Sequence, residues 1–393
     1  MKTDRGTESM SNSNEPIRVL VVNSGSKLFG GVSSFLYNVY THLDRTRVQY
    51  DFLSPNQTTY EIHRAEIEAM GGRIYALGIT GNLLSKKTKL YSRLKAFLKA
   101  HPYRIVHLNS GDFYFNLFAG KAARDAGVET VIVHSHSVGN PQDSPMKRRS
   151  IRLMKPALER QAKAFAACSP EAAEFMFTHE TVAAKRVDII PNGIEVGKYG
   201  YDPRTREAIR RELKLEDKVV LGHVGRLAYP KNQAYLVELL AEYRKRRPNA
   251  VLMLIGEGDH KESLQALARE RGVSDAVIFT GARTDVERYY QAMDVFLFPS
   301  FYEGFGMVLV EAQIAGLSCL ASACVPRSTD IIGNTAYIGI EKGDIPKWID
   351  ALELALDRPR QSHVDLALAA GFDINTVAER LCDKYVSLYK GKR

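Results

Sequence analysis

Residues 298–316 read Phe-Pro-Ser-Phe-Tyr-Glu-Gly-Phe-Gly-Met-Val-Leu-Val-Glu-Ala-Gln-Ile-Ala-Gly and follow the apolar run from Val295 to Phe298. An apolar run, a glycine-containing loop and a second apolar stretch predict a strand, a loop and a largely buried helix. In open α/β sheets, ligands bind at the carboxyl ends of strands, where helix N-termini offer N–H groups and a positive dipole. The stretch therefore predicts an α/β fold with a ligand site in this loop.

The alternation of apolar runs with amphipathic helical stretches extends along the whole chain and predicts two parallel sheets. We expect strands of the first sheet at residues 17–22, 105–108, 130–133 and 165–167. We expect strands of the second sheet at residues 219–224, 251–255, 277–279, 295–298 and 319–321. The chain has 393 residues, more than one hydrophobic core usually holds, so two domains with a cleft between them are expected.

The expected domain boundary is the segment Ile-Pro-Asn-Gly-Ile at residues 190–194. Pro191 restricts Ile190 to an extended backbone and the Asn-Gly pair favours a turn, so the segment is also a candidate hinge. The resulting division is a disordered leader at 1–15, a Rossmann-like domain at 16–195, a second at 196–373 and a helix at 374–393.

The composition indicates a globular protein of the cytoplasm. Hydrophobic residues make up 45% and charged residues 25%, and no apolar run is long enough to cross a bilayer. The polar first residues lack the apolar core of a signal peptide. The four cysteines show no CxxC pair or metal-ligand spacing, which favours reduced thiols. They are Cys168, Cys319, Cys324 and Cys382.

The charge balance predicts an anionic partner. The chain has 54 Lys and Arg against 45 Asp and Glu, a net charge of +9, which suits nucleotide phosphates, lipid headgroups or nucleic acid. Basic residues concentrate at 86–99 and 147–155, interleaved with apolar side chains. These segments are either solvated helix faces or sites of peripheral contact with anionic inner-leaflet lipids. No aromatic-basic motif of the usual nucleic-acid-binding modules occurs, so no nucleic acid partner is expected.

Two carboxylates of the 298–316 stretch are the first candidate site residues. Glu303 lies in the loop, which also contains Gly304-Phe305-Gly306, and Glu311 lies in the predicted helix. A glutamate in a buried helix requires a partner, and carboxylates accept hydrogen bonds from hydroxyl groups. We therefore expect the two carboxylates to contact different parts of one extended ligand, a sugar or a ribose, while the two glycines let backbone approach it.

A second candidate cluster follows the strand predicted at residues 219–224. Arg226 and Lys231 flank a turn there and would neutralise the charge that develops on a departing diphosphate. Weaker signals of a nucleotide pocket follow the next two strands: Gly256 and Gly258, then Arg283. Turn formation alone also explains such glycines.

In the first half, two strand ends carry candidate residues. Gly31 follows the first strand and could open a helix against phosphate, although the sequence there is not a GxGxxG motif. His134 and His136 end another strand, and alternation places both imidazoles on one side of it. A neutral imidazole there could orient a sugar hydroxyl. With no third ligand and no Asp-x-Asp motif, no metal site is expected.

These residues resemble the retaining family-4 glycosyltransferases of the GT-B fold, which include bacterial exopolysaccharide and capsule enzymes. The resemblance covers nearly the whole chain. It rests on Ile190–Ile194, on Gly225-Arg226 with Lys231, on the Gly-Glu-Gly at 256–258 and, most specifically, on Glu303 and Glu311 with seven residues between them.

The resemblance implies roles for the candidate residues. Arg226 and Lys231 would bind the diphosphate of a nucleotide sugar, with UDP as the nucleotide. Glu303 would contact the transferred sugar and Glu311 the ribose. His136, or His134 if the register differs, would lie near the transferred sugar, with Gly31 beside the diphosphate.

The resemblance also implies the wider organisation of the enzyme. It predicts no tightly bound cofactor, metal independence, an acceptor site for a saccharide or lipid-linked saccharide in the first domain, and a terminal helix packed back onto that domain. One departure is at residues 323–329, where many members carry a proline-glutamate step and this chain reads Ala-Cys-Val-Pro-Arg-Ser-Thr. Contacts to the transferred sugar cannot be assigned there.

Two other functions fit the same residues. A nucleotide-sugar epimerase or phosphorylase would act without a carbohydrate acceptor, and an idle sugar-nucleotide-binding subunit would show no turnover. The sequence indicates neither the oligomeric state nor the sugar.

Overall fold

The computed structural model describes residues 15–25, 31–80, 83–140 and 142–391. Most of the leader predicted at residues 1–15 lies outside these ranges. Over the described residues the chain forms two parallel sheets with helices on both faces, so the predicted α/β class with two sheets is confirmed.

The first half of the chain alternates strands and helices. Its strands are β1 (Ile17–Asn23), β2 (Val48–Ser54), β3 (Arg73–Ala76), β4 (Ile105–Ser110), β5 (Thr130–Ser135), β6 (Ala164–Ala167) and β7 (Val187–Ile189). Its helices are α1 (Gly31–His42), α2 (Arg64–Ala69), α3 (Leu83–Ala100), α4 (Phe113–Asp125), α5 (Pro145–Glu159), α6 (Pro170–Met176) and α7 (His179–Ala183). The strand order is β3-β2-β1-β4-β5-β6-β7.

The second half repeats this organisation. Its strands are β8 (Val219–Val224), β9 (Ala250–Ile255), β10 (Val277–Gly281), β11 (Val295–Phe298), β12 (Ser318–Ser322) and β13 (Thr335–Ile338). Its helices are α8 (Pro203–Glu212), α9 (Gln233–Tyr243), α10 (Lys261–Glu270), α11 (Val286–Ala292), α12 (Met307–Ile314), α13 (Ile345–Leu356), α14 (Val364–Ala369) and α15 (Ile374–Tyr389). The strand order is β10-β9-β8-β11-β12-β13, so β8 and β11 are neighbours.

Every strand predicted from an apolar run is present, and four further strands form that the sequence analysis did not predict. In β2, the buried Asp51 interrupts the apolar pattern and is paired with Arg18 at 2.8 Å and with Tyr103 at 2.7 Å. β3 and β13 are edge strands whose residues are partly exposed, and β7 is three residues long. Short or half-exposed strands carry a weak apolar signal, which explains why they were missed.

Two chain segments pass side by side between the halves. The amide of Ile194 donates to the carbonyl of Phe372, and the amide of Ile374 donates back to the carbonyl of Ile194, both at 2.9 Å. A Cβ on Gly193 would lie 2.9 Å from Cα of Ile374, so only glycine permits this approach. The candidate hinge is therefore two adjacent chain segments joined by a parallel β-bridge between Ile194 and Asp373, rather than a single connection.

The final helix, α15, lies against the first half of the chain. Its buried Tyr385 shares a hydrogen bond with the hydroxyl of Tyr50 at 2.8 Å and contacts Nδ1 of His107 at 2.6 Å. Its apolar face, including Val377 and Leu381, joins the core formed with α1 and β1. The domain limits drawn from the sequence stay a prediction.

Candidate active site

The loops after β8 and β11 bring a cation and a carboxylate together. The ammonium of Lys231 lies 2.7 Å from Oε1 of Glu303, with side-chain exposures of 21% and 10%. The Lys231 ammonium also lies 5.0 Å from the ring centre of Phe298, at the end of β11. The two loops meet because parallel neighbouring strands end at the same sheet edge. Two residues separated by 72 positions thus form one polar cluster.

Helix α12 begins in the same loop, next to this ion pair. Its N-cap residue is Gly306, whose φ of +98° favours glycine and whose missing side chain leaves the first N–H groups of the helix uncapped. Such a helix start suits an anion. The side chain of Phe305 does not face the cleft, because it is 95% buried and packs against Phe372, 5.8 Å between ring centres. Only the backbone of Phe305 is available to a ligand.

Glu311 is the buried carboxylate of α12. The Tyr290 hydroxyl donates to its Oε2 at 2.8 Å. Burial raises the pKa of Glu311 to about 7, and the hydrogen bond from Tyr290 opposes that shift. The sequence predicts that Glu311 needs a hydrogen-bond partner, but only the structure shows that Tyr290 supplies it. A carboxyl group that titrates near neutrality inside a protein is a feature of functional sites.

The loop after β8 is held in place by backbone packing against the loop after β9. A Cβ on Gly256 would lie 2.2 Å from the carbonyl oxygen of Gly225, and one on Gly258 would lie 2.2 Å from that of Leu227. Both glycines are therefore required by the contact between the two loops. Arg226 extends from the supported loop and pairs with the exposed Asp259 at 3.0 Å.

Arg283, after β10, lies at the periphery of this group. Its guanidinium forms a two-pronged pair with Asp285, at 2.9 and 3.1 Å, and lies 4.8 Å from the ring centre of Tyr289. Its side chain is 36% exposed. Within the described part of the chain, Arg283 forms no hydrogen bond or ion pair with Lys231 or Glu303, so the structure does not bring it into their cluster.

Three histidines form a buried group, one within β4 and two at the end of β5. The rings of His134 and His136 lie 4.1 Å apart, which confirms that they share one side of the strand, and His107 stacks on His134 at 5.3 Å. Nε2 of His136 lies 3.1 Å from Oδ1 of Asn109. Burial lowers the pKa of His136 to about 3 and holds the pKa of His107 and of His134 well below the usual value. All three imidazoles are therefore neutral at physiological pH.

The two halves approach each other at His136. A Cβ on Gly304 would lie 2.6 Å from the His136 carbonyl oxygen, so the loop with Glu303 touches the end of β5 across the cleft. Nearby, the Gln142 side-chain amide donates to the Tyr229 hydroxyl at 2.8 Å. His136 is 8% exposed, whereas His134 is fully buried. His136 is thus the histidine nearer to the cleft.

Gly31 is the first residue of α1, and a Cβ placed there would meet nothing within 4 Å. None of the described residues fills the space beside it, as a helix start facing a ligand requires. The preceding residues, 26–30, lie outside the described ranges.

Several residues around the cluster were not predicted from sequence. The hydroxyl of Tyr290 donates to Glu311, and the side chain of Asn109 contacts His136. Tyr302 lines a cavity between the halves. Asn109 is the penultimate residue of β4 and could have been found by inspecting every strand end. Tyr290 lies within α11 and carries no local signal of its role.

Metal binding and membrane spanning are two further properties that the described residues bear on. Within the described ranges, no group of three or more His, Cys, Asp or Glu side chains is arranged to hold a metal ion. Among the helices of the same ranges, none combines the length and apolar character needed to cross a bilayer.

Comparison with protein families covers both halves of the chain. Residues 29–198 match the model of Glycosyltransferase Family 4, and residues 205–368 match that of Glycosyl transferases group 1. The chain belongs to the GT-B glycosyltransferases. The resemblance inferred from Glu303, Glu311 and the loop after β8 is thereby confirmed at the level of the family.

Curated relatives of this glycosyltransferase match over most of its length. The putative glycosyltransferase EpsF of Bacillus subtilis is 28% identical over 375 residues, covering 94% of this chain and 96% of EpsF. An Escherichia coli UDP-Gal:α-D-GlcNAc-diphosphoundecaprenol α-1,3-galactosyltransferase is 27% identical over 332 residues, covering 79% of this chain and 82% of the relative.

Solved structures show the same two-sheet architecture as this glycosyltransferase. HepE of Anabaena, in complex with UDP and glucose, superposes with a TM-score of 0.72 at 18% identity, covering 94% of this chain and 100% of HepE. Sucrose-phosphate synthase of Thermosynechococcus elongatus superposes with a TM-score of 0.74 at 19% identity, covering 95% of this chain and 100% of that chain. These likenesses establish the GT-B fold.

Proposed function

We propose that this glycosyltransferase moves a sugar, with retention of anomeric configuration, from a UDP-sugar to a saccharide or lipid-linked saccharide acceptor in exopolysaccharide, capsule or cell-surface glycan assembly. Retention and the exopolysaccharide role follow from the resemblance carried by Glu303 and Glu311. The UDP donor is supported by the names of the E. coli relative and of the HepE complex. The lipid-linked acceptor is supported by the diphosphoundecaprenol in the name of that relative.

One observation carries the proposal: the 2.7 Å contact of Lys231 with Glu303 beside the uncapped start of α12. In the proposed complex, Lys231 and Arg226 bind the diphosphate, which takes up negative charge as the sugar leaves. Glu303 accepts hydrogen bonds from hydroxyls of the transferred sugar. Glu311, deeper on the same helix, accepts hydrogen bonds from the ribose hydroxyls.

The other candidate residues complete the proposed pocket through backbone and position. Gly304, Phe305 and Gly306 offer main-chain atoms to the sugar and diphosphate, and Gly31 lies by the diphosphate from the opposite half. Gly256 and Gly258 support the loop that carries Arg226. Arg283 borders the nucleotide only if its pair with Asp285 opens.

We assign the neutral imidazole of His136 to a hydroxyl of the transferred sugar. Its carbonyl oxygen already approaches Gly304, so closure of the cleft would bring the imidazole toward the Glu303 loop. Positioning of the acceptor hydroxyl against the anomeric carbon would then supply much of the rate. Attack occurs on the same face as the departing phosphate, which accepts the acceptor proton, and no enzyme carboxylate bonds to the sugar.

The proposal includes a metal-independent reaction on the cytoplasmic side of the membrane, with peripheral contact to anionic lipids. The metal independence rests on the family resemblance. The membrane contact is supported by the net charge of +9 and by the basic segments at 86–99 and 147–155.

Thermal unfolding with UDP, GDP or ADP, each in the presence of EDTA, tests the nucleotide site. A ligand at 100 times its dissociation constant adds about 2.7 kcal/mol of stability. We expect stabilisation by UDP that is lost in Glu311→Ala and kept in Glu379→Ala, an exposed glutamate of α15. No shift with any nucleotide would refute the proposal.

Turnover separates the remaining functions. The purified chain should release UDP from a UDP-sugar faster when a saccharide acceptor is added. Product formation without an acceptor would identify an epimerase or phosphorylase, and nucleotide binding without turnover would identify an idle subunit.

A further inference from the structure

Two adjoining cavities form one groove along α5, at the mouth of the cleft. The first, about 250 Å³, is lined by Ser137 and Tyr302, the neighbours of His136 and Glu303. The second, about 330 Å³, is lined by Arg148, Arg152 and Lys155. The cavities share Gly139, Asn140, Asp143, Ile151 and Phe175. This α5 groove therefore leads from the candidate reaction centre to the basic side of α5.

The far end of the α5 groove is lined by three basic side chains, those of Arg148, Arg152 and Lys155, and one acidic side chain, that of Asp143. Asp143, the one carboxylate among the described residues lining the second cavity, is paired with Lys147 at 2.7 Å. Arg152 makes no hydrogen bond or ion pair with any residue in the described part of the chain. Partial burial lowers the pKa of Lys155, whose ammonium donates to the carbonyl of Glu174 at 2.5 Å. A guanidinium and a partly buried ammonium lining one cavity suit a phosphate.

The same helix also exposes apolar side chains. Met146 is 81% exposed and Leu153 is 67% exposed. They are seven positions apart, about two helical turns, so they lie on one face of α5, beside the basic residues. An apolar chain attached to a phosphate in the groove would pass over this face.

We propose that the α5 groove binds a phosphate-linked saccharide acceptor, with its phosphate on Arg152 and Lys155 and its saccharide reaching Tyr302. The inference rests on the proposed function, because it names the acceptor of the same site. Neither Arg226 nor Lys231 lines either cavity, so the phosphate site differs from the one assigned to the nucleotide sugar. The exposed apolar face assigns a lipid to the other end of the phosphate.

Binding of geranyl diphosphate to the full chain, measured by calorimetry with UDP saturating, tests this inference. Saturation with UDP keeps the probe out of the nucleotide site. Arg152→Ala should raise the Kd of the probe about tenfold or more, because a charge-assisted hydrogen bond is lost. Arg160→Ala, the matched control at the end of α5 and outside both cavities, should leave it unchanged. Neither variant should change the Kd of UDP.

Three outcomes would overturn the inference. The first is that geranyl diphosphate does not bind the UDP-saturated chain, and the second is that Arg152→Ala and Arg160→Ala bind it equally well. In the third, Arg152→Ala is no longer captured by phosphatidylglycerol vesicles but still binds geranyl diphosphate, which would make α5 a contact for bulk lipid.

A further comparison tests the lipid part of the inference. Inorganic diphosphate should bind more weakly than geranyl diphosphate, and equal binding would refute the lipid assignment. A chain that fails to bind UDP at all would instead refute the proposed function.

Discussion

The Lys231 ammonium lies 2.7 Å from a carboxylate oxygen of Glu303, and the two residues come from loops after neighbouring strands of the second sheet. With side-chain exposures of 21% and 10%, the pair is largely removed from water. Removing either partner leaves the other charge poorly solvated. Substitution of either partner alone should therefore destabilise the fold as well as disturb the proposed chemistry.

The first prediction concerns this pair. Lys231→Met should lower kcat/KM by about 10²–10³-fold, because a cation aimed at the leaving diphosphate is lost. Glu303→Gln should lower kcat while the Kd of UDP stays near the wild-type value, because Glu303 is assigned to the sugar. Steady-state kinetics and UDP calorimetry on both variants measure the two effects. Loss of UDP binding in Glu303→Gln would contradict the assignment.

A double-mutant cycle on unfolding gives a control for the same pair. We expect a coupling free energy of about 0.5–3 kcal/mol between Lys231→Met and Glu303→Gln. The exposed pair Arg211–Glu207, with side-chain exposures of 67% and 73%, should couple by less than about 0.5 kcal/mol. Equal coupling in both pairs would show that partial burial adds nothing to the Lys231–Glu303 contact.

The second prediction separates stability from binding at Glu311. Its pKa of about 7 lies above the ordinary 4.5, so the neutral carboxyl stabilises the fold at low pH and that stabilisation is lost as pH rises through 7. Glu311→Gln should raise the free energy of unfolding at pH 8 by on the order of 3 kcal/mol and change it little at pH 4. Urea denaturation at both pH values measures this difference.

The same substitution should weaken UDP binding, because the ribose contact needs the carboxylate. Between pH 8 and 6, wild-type affinity for UDP should fall more steeply than that of Glu311→Gln, because in the variant the terminal phosphate of UDP still titrates but residue 311 does not. Glu379→Gln, at an exposed position of α15, serves as the control for both measurements. If Glu311→Gln were no more stable than the wild type at pH 8, ionisation of Glu311 would carry no cost in the free energy of unfolding.

The third prediction concerns the approach of the two halves. Gly304→Ala places a methyl group 2.6 Å from the His136 carbonyl, a distance that neither backbone can absorb without moving. We expect kcat to fall by a larger factor than the Kd of UDP rises, because the side chains assigned to the nucleotide, those of Arg226, Lys231 and Glu311, all lie in the second half. Gly343→Ala, where a Cβ meets nothing within 4 Å, should behave as wild type in both assays. An unchanged kcat in Gly304→Ala would argue against the proposed closure.

The fourth prediction follows from the buried histidines. Burial holds the pKa of His107, His134 and His136 below the usual 6.5, so below pH 6.5 the unfolded chain takes up protons that the folded chain does not. Stability should therefore fall as pH drops from 6.5, with up to about 1.4 kcal/mol per pH unit from each imidazole. His134→Leu should reduce this slope between pH 6 and 5.

The slope is measured by urea denaturation at several pH values. His179→Leu is the matched control, since His179 is a histidine with 86% side-chain exposure. A slope reduced equally by both substitutions would show that burial is not its cause.

The fifth prediction tests how α15 is attached. Tyr385→Phe removes the hydroxyl that contacts both Tyr50 and His107, and should cost about 1–3 kcal/mol because buried polar atoms lose a partner. Replacing both Tyr385 and Tyr50 with Phe should cost less than the sum of the two single substitutions. In the double variant, neither position leaves a tyrosine hydroxyl at the other without its partner. Chemical denaturation of the three variants measures the costs. Strict additivity would contradict the shared hydrogen bond.

The sequence by itself determined the elements and the loops that carry the site. Apolar runs at residues 219–224 and 295–298 predict β8 and β11, because a strand buried on both faces has a local signature. Lys231 and Glu303 follow those strands in the sequence. The rule that ligands bind at the carboxyl ends of strands made them candidate site residues. The short, half-exposed strands β3 and β13 were not predicted, because their residue pattern resembles that of loops.

Only the tertiary structure decided which residues meet. Tyr290 partners Glu311, the Gly258 backbone packs on Leu227, and His136 faces Gly304 from the other half of the chain. These contacts depend on strand order, on register and on the placement of two sheets against each other. A periodic pattern is a property of a few consecutive residues, whereas such contacts are properties of the assembled core. The sequence could therefore predict the loops of the candidate site but not the contacts made within it.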